Sequence, residues 1–163
     1  MAESISLTLS ANGTNIPGDS SVSSLDRANT IEVVSLEQEL FRPFDRATLQ
    51  PTGRRVYAPI KFSKRLDRST PLLRKALVQN EIVAGNFRWF RPNPVGDGTS
   101  ERFFTITFTE GRITRCTLRL PDTLNAVTAN LAPLEDIEMT FGTLVWTWSS
   151  GGVEFTDTLV SST

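Results

Sequence analysis

The sequence predicts a mainly β protein: a two-sheet β-barrel of about eight strands with one short flanking α-helix over residues 70–80. Three observations carry this. Apolar and polar residues alternate in run after run, which is the pattern of strands with one buried face. Connectors rich in Gly, Pro, Asn and Ser separate those runs at short intervals. One stretch alone, "FSKRLDRSTPLLRKALVQN" from Phe62 to Asn80, gives up the period of two for that of a helix. With 163 residues, 39% of them hydrophobic and 21% charged, the chain suits one folded domain over residues 1–163.

Taken in order, "SISLTLS" sets Ile5, Leu7 and Leu9 on one face and Ser4, Ser6 and Thr8 on the other. Ser10 to Asn29 is a long polar loop by composition. "TIEVVSLEQEL" follows as a strand, with Val34, Leu36 and Leu40 on one side and Glu37 and Glu39 on the other. Phe41 to Arg55, holding two prolines and a glycine, is a loop long enough to be functional or mobile. "VYAPIKFSKRL" faces Val56, Ala58, Ile60, Phe62 and Leu66 to the core, with Pro59 pushing part of it towards an edge or bulge.

The helix has Thr70 as expected N-cap, Pro71 at its first position and Leu73, Ala76 and Leu77 on one face beside Leu72. A helix of ten or so residues is not stable alone in water. It must dock on the sheet, covering one opening of the β-structure.

In "IVAGNFRWFR", Val83, Phe87 and Trp89 oppose Asn86 and Arg88. "NPVGDGTS" is a connector. "ERFFTITFTE" sets Phe104, Ile106 and Phe108 against Thr105, Thr107 and Thr109, a threonine face suited to a wetted wall. Gly111 then suggests a hairpin into "RITRCTLRL". Pro121 to Ala132 is a second long loop, and two strands around "SSGG" close the chain. The segment Ile137 to Trp148 looks apolar on both faces, with Ile137, Met139, Phe141 and Val145 on one and Leu144, Trp146 and Trp148 on the other. An antiparallel strand in a lone barrel buries one face, so the second implies a covering loop or, preferably, another subunit.

Composition narrows the function. Net charge is −1, which gives no bulk attraction to nucleic acid or anionic membrane, and the arginine–aromatic interleaving of "NFRWFRP" is too weak alone to make a nucleic-acid platform. Histidine is absent, excluding Ser-His-Asp and Cys-His catalysis and histidine-bearing metal sites. Cys116 is the lone cysteine; its place beside Thr114, Leu118 and Leu120 suits a small buried hydrophobe better than a nucleophile. Glu135, Asp136 and Glu138 alternate across a strand and make a poor acid–base pair or metal cluster. "GDGTS" lacks the spaced ligands of a calcium loop. No cofactor is expected, and no enzyme. No apolar run reaches membrane-spanning length, and "MAESISLTLSANG" lacks the basic start and apolar core of a signal peptide. Synthesis in the cytoplasm is therefore expected, with any export signal-independent. Only Lys61, Lys64 and Lys75 of the 17 basic residues are lysine, and the 14 arginines suit either interfaces or solvated ion pairs.

The block "RRVYAPIKFSKRLDRSTPLLRKAL" resembles the signature segment of the haemolysin-coregulated proteins, Hcp, the tube subunits of bacterial type VI secretion systems. The matching positions are Pro59, Ile60, Phe62, Lys64, Asp67, Ser69, Pro71, Leu72, Lys75 and Ala76. "IEVVSLEQEL" is similar to the family's upstream strand through Glu32, Val33, Leu36 and Glu37, and "LVWTWSSGG" to its closing strand and turn. Order, spacing and length agree over nearly the whole chain, while Arg42 to Thr52 and Pro121 to Ala132 depart from the pattern.

The resemblance implies a barrel with a flanking helix that assembles head-to-tail into hexameric rings. The rings stack into a hollow tube, expelled by a contracting sheath and able to carry effector proteins. Sheath, spike and effector proteins would be its partners, without nucleic acid or membrane insertion, and export would run through the type VI apparatus without a signal peptide. On that reading the Phe41 to Arg55 loop is the intersubunit element, with Arg42, Phe44, Asp45, Arg46, Arg54 and Arg55 as its contacts. The alternatives are a tail-tube-like subunit of a phage or extracellular injection system, and a monomeric ligand-binding β-barrel.

Overall fold

A computed structural model describes residues 3–159. Strand β1 (Ser4–Ala11) turns at Asn12–Gly13 into the short β2 (Thr14–Ile16), and β3 (Ile31–Glu37) follows. A small arm, β4 (Leu40–Phe41) and β5 (Val56–Tyr57), precedes β6 (Ile60–Arg65) and helix α1 (Ser69–Val78). The chain then runs through β7 (Val83–Pro92), β8 (Ser100–Arg119), β9 (Leu134–Thr140), β10 (Thr143–Trp148) and β11 (Val153–Thr158). Hydrogen bonding follows the order β11-β10-β8-β7-β1-β3-β6-β9, and β9 returns to β8. That return closes a barrel from β8, β7, β1, β3, β6 and β9, with β10 and β11 extending the sheet beyond it. Every pairing is antiparallel.

The expected hairpin at Gly111 does not form. β8 runs unbroken for 20 residues and bends there instead. Glu110 takes the left-handed conformation (φ 55°), and a Cβ on Gly111 would lie 2.7 Å from the Thr140 carbonyl oxygen. These two residues shift the register and the inward phase, so Phe108, Gly111 and Ile113 all point into the barrel. The first half of β8 pairs with β7 and β10 and the second with β9, so this one strand turns the corner that closes the barrel.

The closing segment is corrected in the same way. It holds three strands, and Ile137–Trp148 is interrupted at Phe141–Gly142, where Gly142 N–H donates to the Thr109 carbonyl at 2.9 Å. The interruption switches phase: Ile137 and Met139 point inward from β9, Leu144 and Trp146 from β10. What looked like two apolar faces is one, and the inference of a covering subunit from this segment falls away.

Four further expectations change. Ser10 to Asn29 is not a plain loop, because β2 pairs with β1 through Leu9↔Ile16 and a 3₁₀ turn spans Ser24–Asp26. In β3 the register shifts between Val33 and Ser35, so Ile31 and Val33 are buried while Val34 and Leu40 face solvent. The "VYAPIKFSKRL" strand splits at Ala58–Pro59, leaving Val56 and Leu66 exposed. The helix begins at Ser69, one residue early, and ends at Val78. Arg68 is its N-cap, without a capping side-chain bond; the Asp67 carboxylate accepts from Ser69 N–H (2.9 Å) in its place.

The interior is filled by Leu7, Leu9, Ile31, Ile60, Phe87, Phe108, Ile137, Met139 and Leu144. Leu73 and Ala76 of α1 belong to the same core, so the helix closes the mouth at which β1 ends and β7 begins. Cys116 is half-buried against this core, and burial pushes its thiol pKa up, in keeping with a packing role.

Candidate functional site: assembly surfaces and their anchors

The Phe41–Arg55 segment is an ordered arm. At its base Leu40 pairs with Tyr57 and Phe41 with Val56; further out Phe44 bridges Pro51. Asp45 closes the tip, its Oδ1 accepting from the N–H groups of Ala47 (2.7 Å) and Thr48 (3.0 Å). Those same N–H groups, Thr48 foremost, hold the Asp45 carboxyl below its ordinary pKa. Asp45 is thus an internal turn-former. Phe44 is 56% exposed and Leu49, at the tip with positive φ, 72%. Arg42 donates to the Gly53 carbonyl (3.3 Å), while Arg46 and Arg54 make no ion pair among the described residues.

Arg55 does something the sequence does not signal. Its guanidinium grips Asp157 of β11, with Nη2 donating to Oδ1 at 2.5 Å and to the Thr158 carbonyl at 3.0 Å and Nε donating to Oδ2. Tyr57 donates its hydroxyl to the same carboxylate at 2.6 Å. Burial first, and then Asp157, push the Tyr57 pKa up to about 12; the Arg55 hydrogen bond holds Asp157 below the usual carboxylate range. The arm is therefore latched to β11. No local pattern links residues a hundred positions apart, so Tyr57 and Asp157 escaped sequence reasoning.

Among the described residues β11 ends the hydrogen-bonded order of the sheet, and Val153 and Phe155 on it are exposed. A strand with a free edge and exposed apolar side chains is a template for pairing with another chain. This surface was also missed, because a strand's place at the edge is a property of topology.

A second anchor lies inside. Lys64 at the end of β6 and Glu135 at the start of β9 are both fully buried, with Nζ 2.5 Å from Oε1. Lys64 also donates to Asp67 Oδ1 (2.9 Å) and the Arg65 carbonyl (2.9 Å). Arg74 and Thr70 from α1 complete the Glu135 shell at 2.6 and 2.7 Å. Thr70, expected as the N-cap, serves this network instead. Burial pushes the Glu135 carboxyl up, but hydrogen bonds from Lys64, Arg74 and Thr70 outweigh it and leave it below 4.5. Asp136 and Glu138 point outward, towards Arg119 and Arg115, so the acidic triplet is split between the faces.

Residues 8–148 match the family described as "Type VI secretion system effector, Hcp". The chain is 27% identical over 128 residues to the "Major exported protein" of Pseudomonas aeruginosa, covering 78% of this chain and 73% of that protein. Its fold is similar to that of Hcp1 from E. coli EAEC 042, with a TM-score of 0.82, 26% identity and coverage of 96% of this chain and 99% of that one. A second structure, described as "Hcp protein", gives 0.85, 25% identity and coverage of 99% and 100%. Lys64, Asp67, Ser69 and Pro71, which carried the resemblance in the sequence, lie in or beside the buried network, so that signature marks a fold anchor rather than a contact surface. The chain belongs to the Hcp family, the structural tube subunits of type VI secretion systems.

Proposed function

We propose that this chain, acting as one barrel domain, assembles head-to-tail into hexameric rings that stack into the inner tube and carry effector proteins in the lumen. The observation that favours it is the arm: an ordered hairpin with exposed Phe41, Phe44 and Leu49, braced against an edge strand. Rigid, apolar and projecting, it has the properties of a contact element that pays little ordering entropy on docking. Arg42, Phe44, Arg46 and Arg54 supply its outward chemistry; Asp45 shapes the tip and Arg55 sets the angle. The free edge of β11 offers a second surface, so that two different patches meet and the heterologous contact closes into a ring. Sheath, spike and effectors are the partners this role requires.

The family is one of structural proteins rather than enzymes, and its relative's description as an exported protein supports export of this chain. The packed barrel interior favours a tube subunit over a small-molecule carrier. Export tests the reading: in the producing bacterium, inactivating the contractile sheath should remove this protein from the culture medium. Undiminished release from sheath-deficient cells that are not lysing would contradict it.

A further inference from the structure

We propose that the outer face of β7 and β8 carries an oxyanion site, built around Arg88 and Arg102, that takes a carboxylate or phosphate group. The sheet register places its parts. Arg88 pairs with Thr105, Asn86 with Thr107, and Phe90 with Arg102, so two guanidinium groups and two threonine hydroxyls share one outward patch. Asn86, Arg88, Arg102, Thr105 and Thr107 line a surface hollow of about 690 Å³, and Asp26 is a further lining residue that leaves the two guanidinium groups with one carboxylate between them.

The case rests on an uncompensated charge. Arg88 is only 9% exposed, yet it forms no ion pair, and neither do Arg27 or Arg102 among the described residues. Among the described residues its Nη2 alone finds acceptors, Thr8 Oγ1 at 3.3 Å and the Asp26 carbonyl at 3.0 Å, and its Nε is buried without a partner. A buried cation without a counter-charge is costly, and proteins pair such groups. The Phe90 ring offers partial relief but serves two cations, with Arg27 at 4.3 Å and Arg88 at 5.8 Å from its centroid. Burial first, then Arg102, depress the Arg88 pKa, and the Asp26 carboxylate raises it without cancelling them, which agrees with a site short of negative charge. An incoming oxyanion would supply it, received by the guanidinium forks and the hydroxyls of Thr105 and Thr107. The Asn86 amide oxygen, also buried without a partner, calls for a donor beside the anion. A backbone N–H next to an acidic side chain, or the O–H of a protonated phosphate, meets that need.

Titration of the purified full-length protein, in whatever oligomeric state it adopts, tests this at constant ionic strength, with inorganic phosphate in one arm and a blocked aspartate-containing peptide in the other. Calorimetry should give saturable binding, and the melting temperature should rise by mass action. Arg102→Gln, at an exposed position, should weaken binding about tenfold without lowering the melting temperature in chloride. Binding of both probes supports a general oxyanion site. Binding of the peptide alone supports the same site with another chain's acidic side chain as its source, and binding of phosphate alone a free small anion. Binding of neither, or binding indifferent to Arg102→Gln, overturns the proposal. The outcome is independent of whether rings form.

Discussion

Lys64 and Glu135 are the side chains on which the junction of β6, β9 and α1 depends. Glu135→Ala would break the fully buried Lys64–Glu135 pair while leaving the half-buried Asp67 beside Lys64, and removing one partner of a buried pair costs about 3–5 kcal/mol. Urea unfolding of the variant should show that loss as a lower midpoint at unchanged slope. The same network sets acid stability. Glu135 and Asp67 have folded pKa values below their ordinary 4.5 and 3.8. A depressed carboxylate contributes stability that is fully present above its unfolded pKa and lost as pH falls through the folded one. The urea midpoint should therefore stay level from about pH 7 to 5 and decline below about pH 4. Glu135→Gln should shallow that decline; an unchanged acid limb would remove Glu135 from the account. At this scale Lys64 was legible as part of a family signature, but its partner was not. Glu135 sits some seventy residues away, in a triplet whose alternation across a strand does not single out which carboxylate is buried.

Bulges and bends decide the elements. The sequence pattern found the longer strands, missed the short β2 and β4, and misassigned faces or turns where the ladder is interrupted. Beyond Val33, Glu110–Gly111 and Phe141–Gly142 the apolar phase changes, so an alternation carried across those points assigns the wrong face or invents a turn. Such insertions answer to the curvature needed for closure, which no local pattern records. Gly85 marks another close approach, because a Cβ there would lie 2.0 Å from the Thr8 carbonyl oxygen. Gly85→Ala should force β1 and β7 apart at a cost of about 1–3 kcal/mol, read as a drop in melting temperature. In α1, Leu73→Ala empties a fully buried position and should cost about 2–5 kcal/mol by urea unfolding. The arm responds differently. Arg55→Glu faces Asp157 with like charge and should unlatch the arm while the barrel stays folded. Loss of large particles in size exclusion, with unchanged far-ultraviolet circular dichroism, is the expected result. Particles of wild-type mass would show that the latch has no part in assembly.

The molecule as a whole is a packed barrel, closed at one mouth by a helix, bearing a braced arm and an open edge strand. The interior serves stability, and on the proposed reading the exterior serves contact, on surfaces a monomer leaves unused. That division explains what the sequence conveyed. Family membership came through residues that hold the fold, whereas the proposed contact surfaces lie on a loop outside the family pattern and on an edge defined by topology.

The measurement that tests the central claim most directly is the mass of the purified protein by light scattering after size exclusion, with negative-stain imaging of the same peak. The account predicts a particle of about six times 18.1 kDa, seen as rings with a central hole. A stable 18.1 kDa monomer at high concentration would contradict it.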